Sequence, residues 1–506
     1  MTIAVVGGCR LRPYRAAVMA LLSSWAAWAH GEVFRSESLP TSVMLSSEQL
    51  RLPQGERMGL VGGSLLFDIG GNWGVGPAVY GAATGERGGF FVGGAELQRR
   101  WPLRDGVWLI TGLYAGGGGG AGAPVGGGLM LRPALTLLKD LGESLQAGVS
   151  WSTVRFPNGR INSDQLGLVL AWRGEFAHFA SEGGGAGPSS QAPEGSDSRR
   201  ASGLGFHRMS TTLSTYRLGD ATHRNIGLVG ARAERHADSG GFVWGMEGAA
   251  GAQGGAAGYM ELLGTAAFST PVLPSALPAW QLGVRLGAGL GGGGGVPTGG
   301  GLMAKATATT QWTVAPGLTV GAEFGVVRGN STLRARLAQI WLGIDLEPDQ
   351  NGSLASPASV VRTEWIGALQ HHTNELRTDG ARRPLDTVGL KLNRYLGDHL
   401  YVSGQAHSAF AGGAGAYSVG LLGAGVATSR QAPLRAGAEL LVGAAGGGGV
   451  QTGGGAISQG LLWGGWNSSP KSEWRLGLGT VRRLRGGSGS ALIELSWSRG
   501  FGMAGR

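Results

Sequence analysis

Two short stretches hold residue types suited to nucleophilic hydrolysis. QAHSAF places His407 beside Ser408, and LQHHTNE places His371 and His372 near Glu375. A serine nucleophile needs a histidine base in hydrogen-bond contact and an acid to orient that base. Neighbouring residues on a strand point to opposite faces, so His407 and Ser408 would not meet. EPDQNGS supplies Asp349 and Asn351 but no bidentate glutamate at calcium-loop spacing. No Gly-Lys-Ser/Thr ends a glycine run, so a phosphate-binding loop is excluded. The sequence therefore assigns no catalytic residue, no metal site and no cofactor.

Arginine and glycine carry more information. RGNSTLRAR contributes Arg328, Arg334 and Arg336, VRRLR contributes Arg482, Arg483 and Arg485, and ELQRRW contributes Arg99 and Arg100. On the wall of a pore, Arg328, Arg334, Arg336, Arg482, Arg483 and Arg485 would select anionic solutes. On a rim they would meet water and lipid phosphates. The glycines form the segment AGGGGGAGAPVGGGLM, with Gly116, Gly118, Gly120, Gly126 and Gly128. LGAGLGGGGGVPTGGGLMAK repeats it with Gly291, Gly293, Gly295, Gly299 and Gly301. LVGAAGGGGVQTGGGAISQ repeats it again with Gly446, Gly448, Gly453 and Gly455. The triple-glycine runs start at Gly126, Gly299 and Gly453, 173 and then 154 residues apart.

These residues must be positioned by strands. After each glycine run the chain reads as three apolar stretches joined by polar turns, as in LMLRPALTLL, LQAGVSWSTV and QLGLVLAWR. Period two is clearest in ALIELSWSRGF, where Ala491, Ile493, Leu495 and Trp497 share one face. Leu492, Glu494, Ser496 and Ser498 share the other. Each copy yields about eight strands, hence about 24 in all, with a range of 18–26. The expected organisation is a signal peptide at 1–29, repeat one at 30–180, a Gly/Ser/Pro-rich linker or loop at 181–205 and repeat two at 206–346. A second linker at 347–359 then leads to repeat three at 360–506.

Bulk properties narrow the class. Of 506 residues 100 are glycine, 42% are apolar and 15% are charged. That is too apolar for disorder, and the glycines lack the collagen period. A net charge of +10 spread over this length is not a nucleic-acid signature. Arg10, Arg12 and Arg15 precede the apolar stretch AAVMALLSSWAAWA, which ends in the small-x-small pattern Ala27-Trp28-Ala29. This predicts an export signal whose removal would take away Cys9, the one cysteine. No later stretch reaches the ~18 uninterrupted apolar residues of a spanning helix.

Exported, without disulfides and rich in tryptophan near strand ends (Trp73, Trp101, Trp172, Trp280, Trp341, Trp463, Trp497), the chain resembles bacterial outer-membrane β-barrel proteins as a class. The terminal strand ALIELSWSRGF is similar to the assembly signal of that class, although five residues follow Phe501. The resemblance implies an all-β fold, a large antiparallel transmembrane barrel in the cell outer membrane. One barrel built from three diverged copies is the preferred reading, and three eight-stranded barrels are the alternative that the linkers leave open. The expected function is a pore or export channel for a solute or polymer, with anion preference and with the glycine hairpins shaping the lumen or mouth. The alternatives are a surface assembly protein that packs through those hairpins and an outer-membrane lipid-modifying hydrolase. The expected partners are outer-membrane lipid and a periplasmic or surface polymer, not nucleic acid.

Overall fold

The computed structural model describes residues 35–180, 203–219, 224–237, 241–273, 277–330, 333–346, 359–429, 432, 434–469, 471–487 and 489–505. The signal peptide, Asp349 and Asn351, and most of both linkers lie outside the described residues. Among the described residues, apart from one short 3-10 turn, every regular element is a strand, 24 in all.

The first eight strands are β1 (Arg35–Arg51), β2 (Arg57–Gly70), β3 (Trp73–Thr84), β4 (Phe91–Arg104), β5 (Val107–Gly119), β6 (Met130–Asp140), β7 (Leu145–Arg155) and β8 (Asn162–Ala180). The next eight are β9 (Arg208–Leu218), β10 (Asn225–His236), β11 (Phe242–Gln253), β12 (Met260–Leu273), β13 (Leu277–Gly292), β14 (Leu302–Ala315), β15 (Leu318–Gly329) and β16 (Arg334–Asp345). The last are β17 (Ser359–Leu376), β18 (Arg382–Tyr395), β19 (Leu400–Ala411), β20 (Ser418–Ala427), β21 (Leu434–Gly446), β22 (Ala456–Ser469), β23 (Ser472–Arg483) and β24 (Gly489–Gly505).

All neighbours run antiparallel, and closure occurs after every eighth strand. β1 pairs with β8 from Arg35–Ala180 to Glu48–Gly167. β16 pairs with β9, and β17 pairs with β24. The first and third rings are joined into one continuous sheet by a single pair, Gly502 with Phe179. The expected single barrel of about 24 strands is therefore corrected: the strand count holds, but the strands form separate eight-membered rings. The physical reason is the pairing of β1. It finds β8 within its own eight-strand set, which satisfies the backbone of both edges without the rest of the chain.

Side-chain alternation follows closure. In β16 the sequence RARLAQIWLGID alternates exposed and buried without a break. Outward residues are large and apolar, including Leu166, Leu168, Phe324, Ile340, Leu440 and Leu462. Inward residues are polar or small over part of each strand, and large apolar residues such as Leu50, Met58, Phe90 and Phe156 in the first ring fill the interior at the far end. An eight-stranded ring has an interior just wide enough for side chains to fill. The wide lumen of a single large barrel is thus absent, and three narrow, filled interiors replace it.

Two ends can be told apart. At the near end each ring's first strand starts and its last strand finishes. At the far end lie the connections 52–56, 85–90, 120–129 and 156–161 and their counterparts. Outward tryptophans gather toward the near end: Trp73, Trp101, Trp172, Trp244, Trp312, Trp466, Trp474 and Trp497. Trp341 and Trp463, expected in an aromatic girdle, are buried inside their rings instead.

Candidate functional site

The interiors hold the densest chemistry. In the first ring Arg132 of β6 makes a bidentate pair with Glu48 of β1, at 2.9 and 3.0 Å. Ser152 donates to the same carboxylate at 2.7 Å. The guanidinium lies 5.1 Å from the Tyr80 ring. In the second ring Arg232 pairs with Glu323 at 2.8 Å and also with Glu247. Arg285 pairs with Glu234 at 2.7 Å, and Lys305 pairs with Glu247. In the third ring Lys391 bridges Glu439 and Glu494 at 3.0 and 2.9 Å. Arg475 bridges Glu364 and Glu473, Arg435 also holds Glu473, and Arg362 holds Glu364. Arg475 sits 4.2 Å over Trp463.

All these lumen groups are buried. Strands put them there because each sits on the inward parity: Glu494 faces in between outward Ile493 and Leu495. A buried pair is weak evidence of added stability, since desolvation offsets the attraction. Such pairs place charged groups inside each ring, and together with the apolar clusters of each ring they fill its interior.

The glycines mark a second site, between rings. The loop between β3 and β4 meets the hairpin between β13 and β14, where the Gly88 nitrogen donates to the Gly299 carbonyl at 2.6 Å. The loop between β19 and β20 meets the hairpin between β5 and β6, where the Gly415 nitrogen donates to the Gly126 carbonyl at 3.2 Å. The loop between β11 and β12 meets the hairpin between β21 and β22, where a Cβ on Gly446 would overlap the backbone of Gly258. The order is cyclic: ring one onto two, two onto three, three onto one. A small cavity of about 80 Å³ lies where they meet, bordered by Gly89, Phe91, Gly119, Gly258, Met260, Gly293, Ser418 and Gly447.

Not every glycine singled out by sequence touches another ring. Gly126, Gly128, Gly293, Gly299, Gly301, Gly446 and Gly455 do. Gly116, Gly118, Gly120, Gly291, Gly295, Gly448 and Gly453 lie against their own ring, several at positive φ in the hairpin turn. The hairpins therefore meet neighbouring rings through these glycines, while their Val125, Val296 and Val450 pack into the apolar cluster inside their own rings. Sequence reading missed the partner loops: Gly88-Gly89-Phe90, Ala257-Gly258-Tyr259 and Gly415-Ala416-Tyr417. Their signal was a small-small-aromatic triplet at the same place in each copy, each with its aromatic buried.

Each hairpin is also pinned by an arginine of its own ring. Arg87 donates to the Ala121 carbonyl at 2.7 Å, Arg224 to the Gly295 carbonyl at 2.7 Å, and Arg377 to the Gly448 carbonyl at 3.4 Å. Arg87 also pairs with Glu56 at 2.6 Å. The hydrogen bond from Arg87 holds the Glu56 carboxyl below the usual carboxylate range.

The remaining sequence candidates separate. His407 faces inward beside Gln405 at 3.2 Å, whereas the Ser408 hydroxyl lies 3.4 Å from that of Ser418 on the outer side. His372 faces inward to Glu375 at 3.2 Å, and His371 faces outward to Asp386 at 2.7 Å. No serine, histidine and acid come together among the described residues at these positions. Arg328, Arg334, Arg336 and Arg482 share the outward parity of Phe324, Ile340 and Leu478, so none lines a lumen. Arg483 donates to the Gln451 carbonyl, and Arg485 is exposed in a far-end loop. The anion-selecting position expected for the outward four is corrected by strand parity. Arg99 lies over Trp101 at 4.0 Å, near the other end.

No protein-family model and no curated protein matches the chain. Solved structures of outer-membrane proteins do. OccAB3 of Acinetobacter baumannii is 9% identical, with TM-score 0.21, over 92% of this chain and 100% of that one. OccK2 (OpdF) of Pseudomonas aeruginosa is 10% identical, with TM-score 0.22, over 94% and 100%. A BenF-like porin from Pseudomonas fluorescens Pf-5 is 11% identical, with TM-score 0.22, over 94% and 100%. The chain is similar to these outer-membrane β-barrel structures along nearly its whole length. At such TM-scores the fold rests on the strand pairings described above and not on the overlays.

Proposed function

We propose that the chain spans the bacterial outer membrane as three side-by-side barrels and provides narrow, ion-pair-gated passage for small solutes. The apolar outer faces, the closed backbone and the near-end tryptophans support the membrane setting. The observation that carries the passage reading is the buried Arg/Lys–Glu pairing inside every ring, against an apolar exterior. An interior needed only for stability gains little from such pairs over apolar packing. The filled rings favour small ions or solutes over a polymer. Corresponding hydrogen bonds in all three rings, such as Ala123 to Gly120, Val296 to Gly293 and Val450 to Gly447, support an origin in three diverged copies.

Single-channel recording in planar bilayers tests this reading. The folded protein is expected to give small, infrequent openings, and Glu364→Gln with Glu473→Gln to raise their frequency by loosening Arg475 and Arg435. A steady, large conductance would mean a wide lumen instead. Silence in the wild type and in every lumen variant would favour the second reading, a surface assembly protein. That reading is supported by the backbone contacts that the glycine hairpins make between rings.

A further inference from the structure

The second ring carries an arginine patch on its outer side at the far end. Arg328 of β15 stands directly opposite Arg334 of β16. Arg336 of β16 stands directly opposite Arg217 of β9. All four are exposed and outward-facing, and none has an acidic partner among the described residues. Like charges directly opposite on neighbouring strands are destabilising. The register places two such pairs side by side, so the arrangement calls for an anion to bridge each pair.

The surroundings say what kind of anion. Moving along the same faces toward the near end, β15 presents Val326 and Phe324, and β16 presents Ile340 and Leu342, all exposed. The arginines thus sit at the edge of the apolar belt and continue it without a break. Guanidinium forks match phosphate oxygens in bidentate geometry. The position recurs: Arg155 ends β7 and Arg482 nears the end of β23 with the same outward parity and the same 173- and 154-residue spacings as the glycine runs.

We propose that Arg217, Arg328, Arg334 and Arg336 bind the phosphate groups of a phosphorylated lipid in the leaflet at the far end, its acyl chains lying along Val326 and Ile340. This rests on the membrane reading above. The test uses the full folded chain in non-ionic detergent, titrated with phosphatidic acid, phosphatidylcholine or inorganic phosphate, with bound lipid counted by native mass spectrometry. Phosphatidic acid should bind about tenfold or more tighter than phosphatidylcholine, as expected of charge-assisted bonds. Arg334→Gln with Arg336→Gln, or Arg217→Gln with Arg328→Gln, should remove that preference. Excess inorganic phosphate should not displace the lipid. Equal binding of the two lipids, an unchanged preference in both double variants, or displacement by free phosphate would each overturn the proposal. Insertion into phosphatidylcholine vesicles, followed by heat-modifiable gel migration, separates the two readings. A chain that inserts but does not prefer phosphatidic acid sinks only the lipid site, whereas failure to insert sinks the membrane reading itself.

Discussion

The rings meet in two different ways at their two ends. At the far end, contact is backbone against backbone. Gly117 presses on the carbonyls of Ser408 and Ala409, and a Cβ there would lie 2.7 Å from both oxygens. At the near end the first and third rings meet mainly through side chains, beside the single strand pair of Gly502 with Phe179. Phe176, Phe501 and Met503 are buried together, with Leu39, Phe67, Leu204 and Trp365 packed around them. Phe176 and Phe501 lie edge to face at 5.0 Å. A side-chain cluster tolerates adjustment, because neighbouring rotamers can shift to fill a change in volume. A glycine-to-glycine contact has no such slack. The far end therefore fixes how the rings sit, and the near end adds apolar burial.

Substitution can break this contrast, and the largest effect is expected at Gly446. All three of its nearest cross-contacts are backbone atoms of Ala257 and Gly258, so Gly446→Leu should leave its own ring closed and abolish docking of the third ring on the second. In a chain carrying an inserted specific-protease site within residues 347–358, the cleaved wild type should stay associated on a native gel. The cleaved protein carrying Gly446→Leu together with Gly117→Leu, which also breaks the far-end seat of the third ring on the first, should come apart. Phe501→Ala should cost less in docking: about 3 kcal/mol in thermal or denaturant unfolding, at the low end for a buried phenylalanine, with the far-end junction retained. Fragments that stay together with both glycine substitutions but separate in Phe501→Ala would reverse the assignment.

Acidification should give the smallest effect. Glu56 has a folded pKa below its unfolded value because of Arg87. Its contribution is therefore present above the unfolded pKa and lost as pH falls through the folded one. Arg87 also holds the Ala121 carbonyl beside Gly88. Hydrogen exchange of residues 85–90 should rise slightly as pH drops through the carboxylate range, and Glu56→Gln should remove that dependence. The pair is partly exposed, so a small change is expected.

Strand content and side-chain parity were legible in the sequence, and closure was not. ALIELSWSRGF declares its two faces, and the structure turns Ile493, Leu495 and Trp497 outward and Glu494 inward. A meander with short turns, however, reads the same whether β8 goes on to pair with β9 or returns to β1. That choice is made by long-range pairing, which leaves no local pattern. The hairpin glycines were visible as a repeat, but their partners were not, since a backbone contact has no complementary side chain to search for. Trp463 shows a third limit. Its type suggested a membrane girdle, but its parity puts it inside, where its ring nitrogen donates to the Tyr401 hydroxyl at 3.2 Å.

Separate closure of the rings is the central claim, and one disulfide reads it directly. Leu45 of β1 stands opposite Leu170 of β8, both outward. Leu45→Cys with Leu170→Cys, made in a Cys9-free chain and oxidised in the membrane, should cross-link nearly completely. No disulfide in that pair, together with efficient cross-linking of β8 to β9, would show one large barrel and contradict the account.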